Sequence, residues 1–353
     1  MPGVYSVFNI GTGHAQNEPN NTIASLGRDC LDWYDVTIND GPGSSWFDGL
    51  GKAFGMGMDS TCSATVKDIL ARKPSRVNMA GHSRGGVLCH MIANDLAEKG
   101  FNQRINMVVL DPVNMSPHVQ RAKEIRGNVN LGCYVAIVME NVTVSTFPLT
   151  RVQPMSRTFE EHMHVLNMPG THGSGTQCKT SAIGKAVRAT IGFLMNAWGT
   201  NFGETVTLPD ILEAYAEIHE DSPVTYDAHG LVTKRQISDD KKGFGRQKDI
   251  TVKDQGLEQR RQQIGDMVMS SKWETGSSRD FRDTPYFINE FHATAFKAWF
   301  PALYARFAGD KDWWQHESSK PEHLRHLQEE IRLIDGGDYP KTRRSLQQLG
   351  MID

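Results

Sequence analysis

The stretch Arg76-Val77-Asn78-Met79-Ala80-Gly81-His82-Ser83-Arg84-Gly85-Gly86-Val87-Leu88 constrains this chain more than any other. It reads as a β-strand, a tight G-x-S-x-G turn, and a helix carrying Leu88, Met91, Ile92 and Leu96 on one face. A strand that turns directly into a helix belongs to an α/β layer, not to a bundle or a sandwich. The turn makes a physical demand. It forces its central residue into strained backbone angles, and glycines two positions before and after keep neighbouring chain from colliding. Ser83 is then expected at the carboxyl end of the sheet and the amino end of the helix, where the dipole and free N–H groups favour a developing oxyanion. A blander reading has Ser83 merely capping the helix. His82 is expected to pack inside the turn and Arg84 to pair with a local carboxylate.

The rest of the first 200 residues agrees with an α/β layer. Short β-rich runs at Val4 to Ile10, Trp33 to Ile38, Arg76 to Ala80, Asn106 to Leu110, Tyr134 to Met139 and Val165 to Met168 alternate with helix-like segments. Several runs are apolar on both faces, as buried parallel strands are. In Lys179 to Trp198, Ile183, Val187, Ile191, Leu194, Met195 and Trp198 form one buried stripe that predicts a closing helix. The expected fold is α/β: a mainly parallel sheet flanked by helices over residues 1–200, then a mostly helical extension over 201–353. In that extension Pro209 to His219 and Tyr286 to Phe307 are the helical candidates. Residues 230–282 between them are polar and charged and read as an insertion or solvated segment.

An activated serine needs a base, and the base needs an orienting acid. On a sheet of this kind they follow the serine in the order acid, then histidine. Asp111 stands at the tip of the apolar run Val108-Val109-Leu110, and Pro112 stops the strand there. Glu140, at the tip of Ala136-Ile137-Val138-Met139, is the alternative acid. His172 lies in Pro169-Gly170-Thr171-His172-Gly173-Ser174-Gly175, a glycine-rich loop able to carry an imidazole across the sheet edge. His162 and His164 precede or lie within the last strand and read as structural. The oxyanion donors are expected to be the backbone N–H of Arg84 and that of Thr12 or Gly13, in the glycine-bearing loop after the first strand. That loop lacks the third glycine and downstream acid of a dinucleotide site, so no cofactor is expected. No histidine pair has H-E-x-x-H spacing, and no metal is expected.

Composition narrows the partners. With 38 basic and 41 acidic side chains among 353 residues the formal charge is −3, which lacks the cationic field that draws proteins to nucleic acid or anionic membranes. Five cysteines, odd in number and widely spaced, suggest neither a disulfide framework nor a metal site and fit a reducing compartment. The first residues show no basic-then-apolar signal, so cytoplasmic synthesis is expected, with export by a signal-free route left open. The longest apolar run, Tyr134 to Met139, is far shorter than the roughly 20 residues needed to span a bilayer. Asn20, Asn114 and Asn141 head N-x-S/T matches that mean little without a secretory route.

Gly81-His82-Ser83-Arg84-Gly85, the strand-end Asp111 and Pro169-Gly170-Thr171-His172 together resemble the α/β-hydrolase superfamily. Within it they are similar to the lipase effectors of bacterial type VI secretion, as are Asp40-Gly41-Pro42-Gly43 and Phe54-Gly55-Met56-Gly57-Met58. The likeness covers about residues 4–200. It implies a serine carboxylester hydrolase, often a phospholipase A, with Ser83, Asp111 and His172 as triad and a lipid or small ester as substrate. It also implies transient contact with a membrane surface and, as partners, a secretion apparatus or an immunity protein. Two departures stand out: Asn9-Ile10-Gly11-Thr12 replaces that family's Asp-Gly-Thr opening, and Gly173-Ser174-Gly175 replaces the Asp and Val that usually follow its histidine. Leu110-Asp111-Pro112 is also similar to the acid segment of vertebrate-type lipases. A soluble esterase or thioesterase, and an inactive hydrolase scaffold serving as an interaction protein, are the competing readings. Phe296, Trp299, Phe300, Trp313 and Trp314, with Met56 and Met58, are candidates to line an acyl groove, or else simply pack the tail onto the sheet domain.

Overall fold

The computed structural model describes residues 3–43, 57–112, 125–141, 163–204, 224–226, 232–237, 248–251 and 340–353, together with a few positions between 206 and 214. Six strands form one wholly parallel sheet: β1 (Val4–Asn9), β2 (Val36–Asn39), β3 (Arg76–His82), β4 (Arg104–Leu110), β5 (Leu131–Asn141) and β6 (Met163–Thr171), in the order β2-β1-β3-β4-β5-β6. Parallel neighbours cannot be joined by hairpins, so each crossover needs a connection that covers a face of the sheet. Among the described residues three helices do this, α1 (Thr22–Asp29), α2 (Met58–Arg72) and α3 (Arg84–Glu98), and α4 (Ala182–Ala197), after β6, also packs on the sheet.

The period-two alternation of the strands divides the core in two. Phe8, Ala80, Val108, Leu110, Val135 and Ile137 point toward α1 and α4, where they meet Ile23, Leu26, Val187, Ile191 and Leu194. Tyr5, Val7, Val77, Met79, Met107 and Val109 point the other way, toward Val66 and Ile69 of α2 and Val87, Met91, Ile92 and Leu96 of α3. Helix α3 is buried from Arg84 to Ala97, so the segment behind the G-x-S-x-G turn is locked on every side. Met58 is part of this second core, which removes it from the expected acyl groove. Met56 lies outside the described residues.

The strand expectations differ from the structure mainly at their ends. The run Trp33 to Ile38 starts later, at Val36, and Trp33 and Tyr34 lie exposed in the loop before it. Just before and within the polar stretch, where sequence suggests no strand, Val224–Tyr226, Val232–Ile237 and Lys248–Thr251 form an antiparallel three-stranded sheet (β7, β8, β9). Tyr286 to Phe307 lies outside the described residues, as does most of Pro209 to His219.

The last described segment, α5 (Pro340–Gln348) and the residues after it, returns to the first core. Leu346, Met351 and Ile352 are buried there, and the Trp198 indole donates to the Met351 carbonyl at 2.7 Å. The Asp353 carboxylate bridges two adjacent strands, accepting from Arg76 at 2.7 Å and Arg104 at 2.6 Å. Burial pulls the Asp353 carboxyl upward, but the hydrogen bond from Arg76 and the charges of Arg104 and Arg76 outweigh it and hold it below its ordinary value. A carboxyl depressed by folding stabilises the protein above its unfolded value of about 3.9, and that stabilisation disappears as pH falls through the folded value. The pair is partly exposed, so its worth is below about 1 kcal/mol. Urea unfolding of Asp353→Asn should therefore show a small deficit at neutral pH that closes below about pH 4; a deficit independent of pH would refute this account.

Candidate active site

The strand order alone places the site. The chain steps from β1 to β2 on one side and then crosses back to β3 on the other side of β1, and a parallel sheet opens a crevice at the carboxyl ends where the order reverses. The loop after β1 and the turn after β3 flank that crevice. They are the two segments expected to supply the oxyanion donors and the nucleophile.

Ser83 has φ 54° and ψ −122°, a conformation that L-residues adopt at a cost of about 1–3 kcal/mol. Its amide donates to the Leu110 carbonyl at 2.9 Å, which carries the sheet register into the turn. The flanking glycines are obligatory. A methyl group on Gly85 would lie 2.0 Å from the Asn9 carbonyl oxygen, and one on Gly81 would lie 2.5 Å from that of Gly85. Although Ser83 occupies the cap position of α3, its side chain makes no capping hydrogen bond. The hydroxyl is therefore not engaged in holding the helix, and a strained serine kept for capping alone has no physical basis here.

Asp111 follows the tip of β4, one strand from Ser83, and is 1% exposed. It too has positive φ, 42°, and its amide donates to the Ile137 carbonyl at 2.7 Å. His172 starts from the edge strand β6, three strands from β3. The loop that follows it crosses to the far side of the crevice and is fastened at the start of α1: the Thr22 hydroxyl donates to Gly175 O at 3.0 Å, the Cys178 amide to Asn20 O at 3.0 Å, and the Lys179 amide to Asn20 Oδ1 at 2.7 Å. This brings His172 Nδ1 to 2.7 Å from Asp111 Oδ2. Its ring packs on that of His82, the residue directly before the serine, with centroids 4.5 Å apart. Asp111 and His172 thus meet next to the residue that precedes Ser83. With Nδ1–H donated to Asp111, Nε2 is left as the basic nitrogen of His172.

The other site expectations divide. Arg84 opens α3, and its side chain is buried. Gly13 is not an available donor: its N–H already donates to the Pro42 carbonyl at 3.0 Å. Thr12 is the remaining candidate in that loop. The Gly13 expectation failed because its acceptor comes from a distant loop, which sequence proximity does not show. Glu140 falls within β5, and its side chain lies outside the described residues.

Behind the turn, Asn9 donates to Cys89 Sγ at 3.2 Å and accepts from Asn39, which also donates to Thr65. This chain of contacts ties β1 and β2 to α2 and α3 beneath the nucleophile. Burial pushes the Cys89 thiol up to about 12, so it is no competing nucleophile at neutral pH. All five cysteines are buried and unpaired with one another. Among the described residues no cluster of histidine, cysteine or carboxylate could hold a metal, and no helix is long and apolar enough to cross a membrane.

Sequence reading missed Asn20 and Thr22, whose triplet reads only as a glycosylation match. The extra signal was the run of short polar side chains next to a helix start, a pattern suited to fastening a neighbouring loop as well as capping.

The sheet order, its helical layers and the strained serine turn define an α/β-hydrolase-like fold. No family model and no curated protein matches the sequence. Among solved structures the chain is similar to a cell surface hydrolase from Lactobacillus plantarum WCFS1, with 14% identity over 56% of this chain and 92% of that one and a TM-score of 0.34. It is also similar to the Vlm2 thioesterase domain, with 11% identity over 57% and 94% and a TM-score of 0.31. A third is the type II thioesterase BorB of the borrelidin cluster, with 15% identity over 48% and 84% and a TM-score of 0.29. Likeness this distant carries nothing about substrate.

Proposed function

We propose that this chain is a serine carboxylester hydrolase acting through Ser83, His172 and Asp111. The observation that carries the reading is the 2.7 Å contact of His172 with a buried Asp111, made beside a strained serine whose hydroxyl caps nothing. In the proposed reaction His172 Nε2 accepts the Ser83 proton as Oγ attacks the ester carbonyl, and the amides of Arg84 and Thr12 hold the oxyanion. The alcohol leaves with the proton from His172. Water, deprotonated by the same nitrogen, then releases the acid and restores the serine. Asp111 stays ionised throughout and holds the imidazole in the useful tautomer.

The substrate class proposed first is lipid, in keeping with the resemblance of the Ser83 and His172 motifs to lipase effectors. A soluble esterase or thioesterase is the second reading. It is favoured by the burial of Met58, which leaves the described residues without that part of an acyl groove. A fluorophosphonate probe is expected to label Ser83, and turnover of phospholipid vesicles is expected to exceed that of short-chain soluble esters. Preference for the soluble esters would reject the lipase assignment. A folded protein that resists labelling would reject the enzyme and leave an inactive scaffold.

A further inference from the structure

His82 is a buried group without an evident purpose. It is 4% exposed, and among the described residues neither ring nitrogen makes a hydrogen bond of ordinary geometry. A phenylalanine would fill the same space without the cost of removing two polar atoms from water, roughly 1–3 kcal/mol for an unsatisfied group. The surroundings have been shaped to receive it. A methyl group on Gly11 would lie 2.3 Å from His82 Nδ1, so the loop expected to hold the oxyanion keeps a glycine where the imidazole passes.

Two contacts run from this ring to the proposed general base. The faces of His82 and His172 meet at 4.5 Å between centroids with a 40° tilt. The His172 backbone carbonyl also lies close enough to the His82 ring to favour its protonated form. Hydrogen bonds of working sites are often loose in the empty protein and tighten around the reacting group. Resting on the serine-hydrolase reading above, we propose that His82 is a positioning residue: its ring face supports the His172 imidazole, and its N–H holds the His172 carbonyl, fixing the histidine loop against the oxyanion loop at Gly11.

The brace requires a neutral imidazole. Burial first, then the charges of His172 and His14, push His82 well below its ordinary value, with the His172 carbonyl opposing only in part. His82 faces those two titratable histidines, and His14 is itself paired with Glu18 at 2.7 Å. A neutral neighbour lets His172 become an imidazolium without a second positive charge against its face.

The test uses the full chain. His82→Phe keeps the ring and removes the N–H, and Gly11→Ala displaces the ring. Both are expected to lower kcat and the fluorophosphonate labelling rate together, by between about 10- and 100-fold, with KM nearly unchanged, as a misplaced base does. The acid limb of kcat/KM is expected to have a one-proton slope in the wild type and in His82→Phe. Imidazole nitrogen NMR of the wild type, which needs no variant to fold, should show His82 neutral over the range in which an ordinary histidine titrates. A His82→Phe protein with wild-type labelling and kcat, or a His82 imidazolium signal in that range, would overturn the brace. If the wild type itself does not label, the hydrolase reading fails instead; if it labels and His82→Phe labels equally fast, only the brace fails.

Discussion

Ser83→Ala is expected to fold and to lose at least about 10⁴-fold in turnover of any ester the wild type hydrolyses. The residual rate would come from binding and the oxyanion donors alone. The substitution removes only the hydroxyl, which makes no capping bond to α3, and α3 is held by burial along nearly its whole length. A fall in activity therefore cannot be assigned to a broken helix start, and the melting temperature should match or slightly exceed that of the wild type. Single-turnover kinetics of purified variant and wild type on a chromogenic ester decide the matter. Turnover within tenfold of wild type would mean that the strained serine is not the nucleophile.

The sheet was legible because buried parallel strands are largely apolar on both faces, and β1, β3 and β4, each buried after its first residue, together carry Val, Ile, Met, Leu, Phe or Ala at most of those positions. Ser83, Asp111 and His172 were legible for a related reason: each directly follows such a run, and strand tips are where a parallel sheet presents side chains. What joins them was not legible. His172 reaches Asp111 because a loop from the edge strand is fastened to Asn20 and Thr22, more than 150 residues earlier, by ordinary hydrogen bonds that leave no periodic trace. The Gly13 amide was lost to Pro42 through a contact of the same kind. At Trp33 and Tyr34, aromatic strand preference was overridden, because no described layer buries those side chains. His82 was read as packing, which is correct for its burial. Its contact with His172 depends on a crossing that no local pattern encodes.

Asp111→Asn is expected to cost about 10⁴-fold in kcat, the effect of leaving a catalytic imidazole without its ionised partner. The substitution isolates the charge. Asparagine has nearly the shape of aspartate and is among the few non-glycine residues that tolerate positive φ, so the 42° angle at this position is retained. The backbone bond to the Ile137 carbonyl does not involve the side chain and also survives. What changes is the face presented to His172 Nδ1. An amide that turns its NH₂ toward the ring donates where the carboxylate accepted, which moves the ring proton to Nε2 and removes the base. Raising the pH cannot restore it, because the fault is the tautomer and not the degree of ionisation. Glu140→Gln supplies the contrast: with Asp111 as the acid, it is expected to retain kcat within about threefold. Measured side by side on one ester, a large loss in Glu140→Gln with little in Asp111→Asn would transfer the acid role to β5 and make the 2.7 Å contact a structural one.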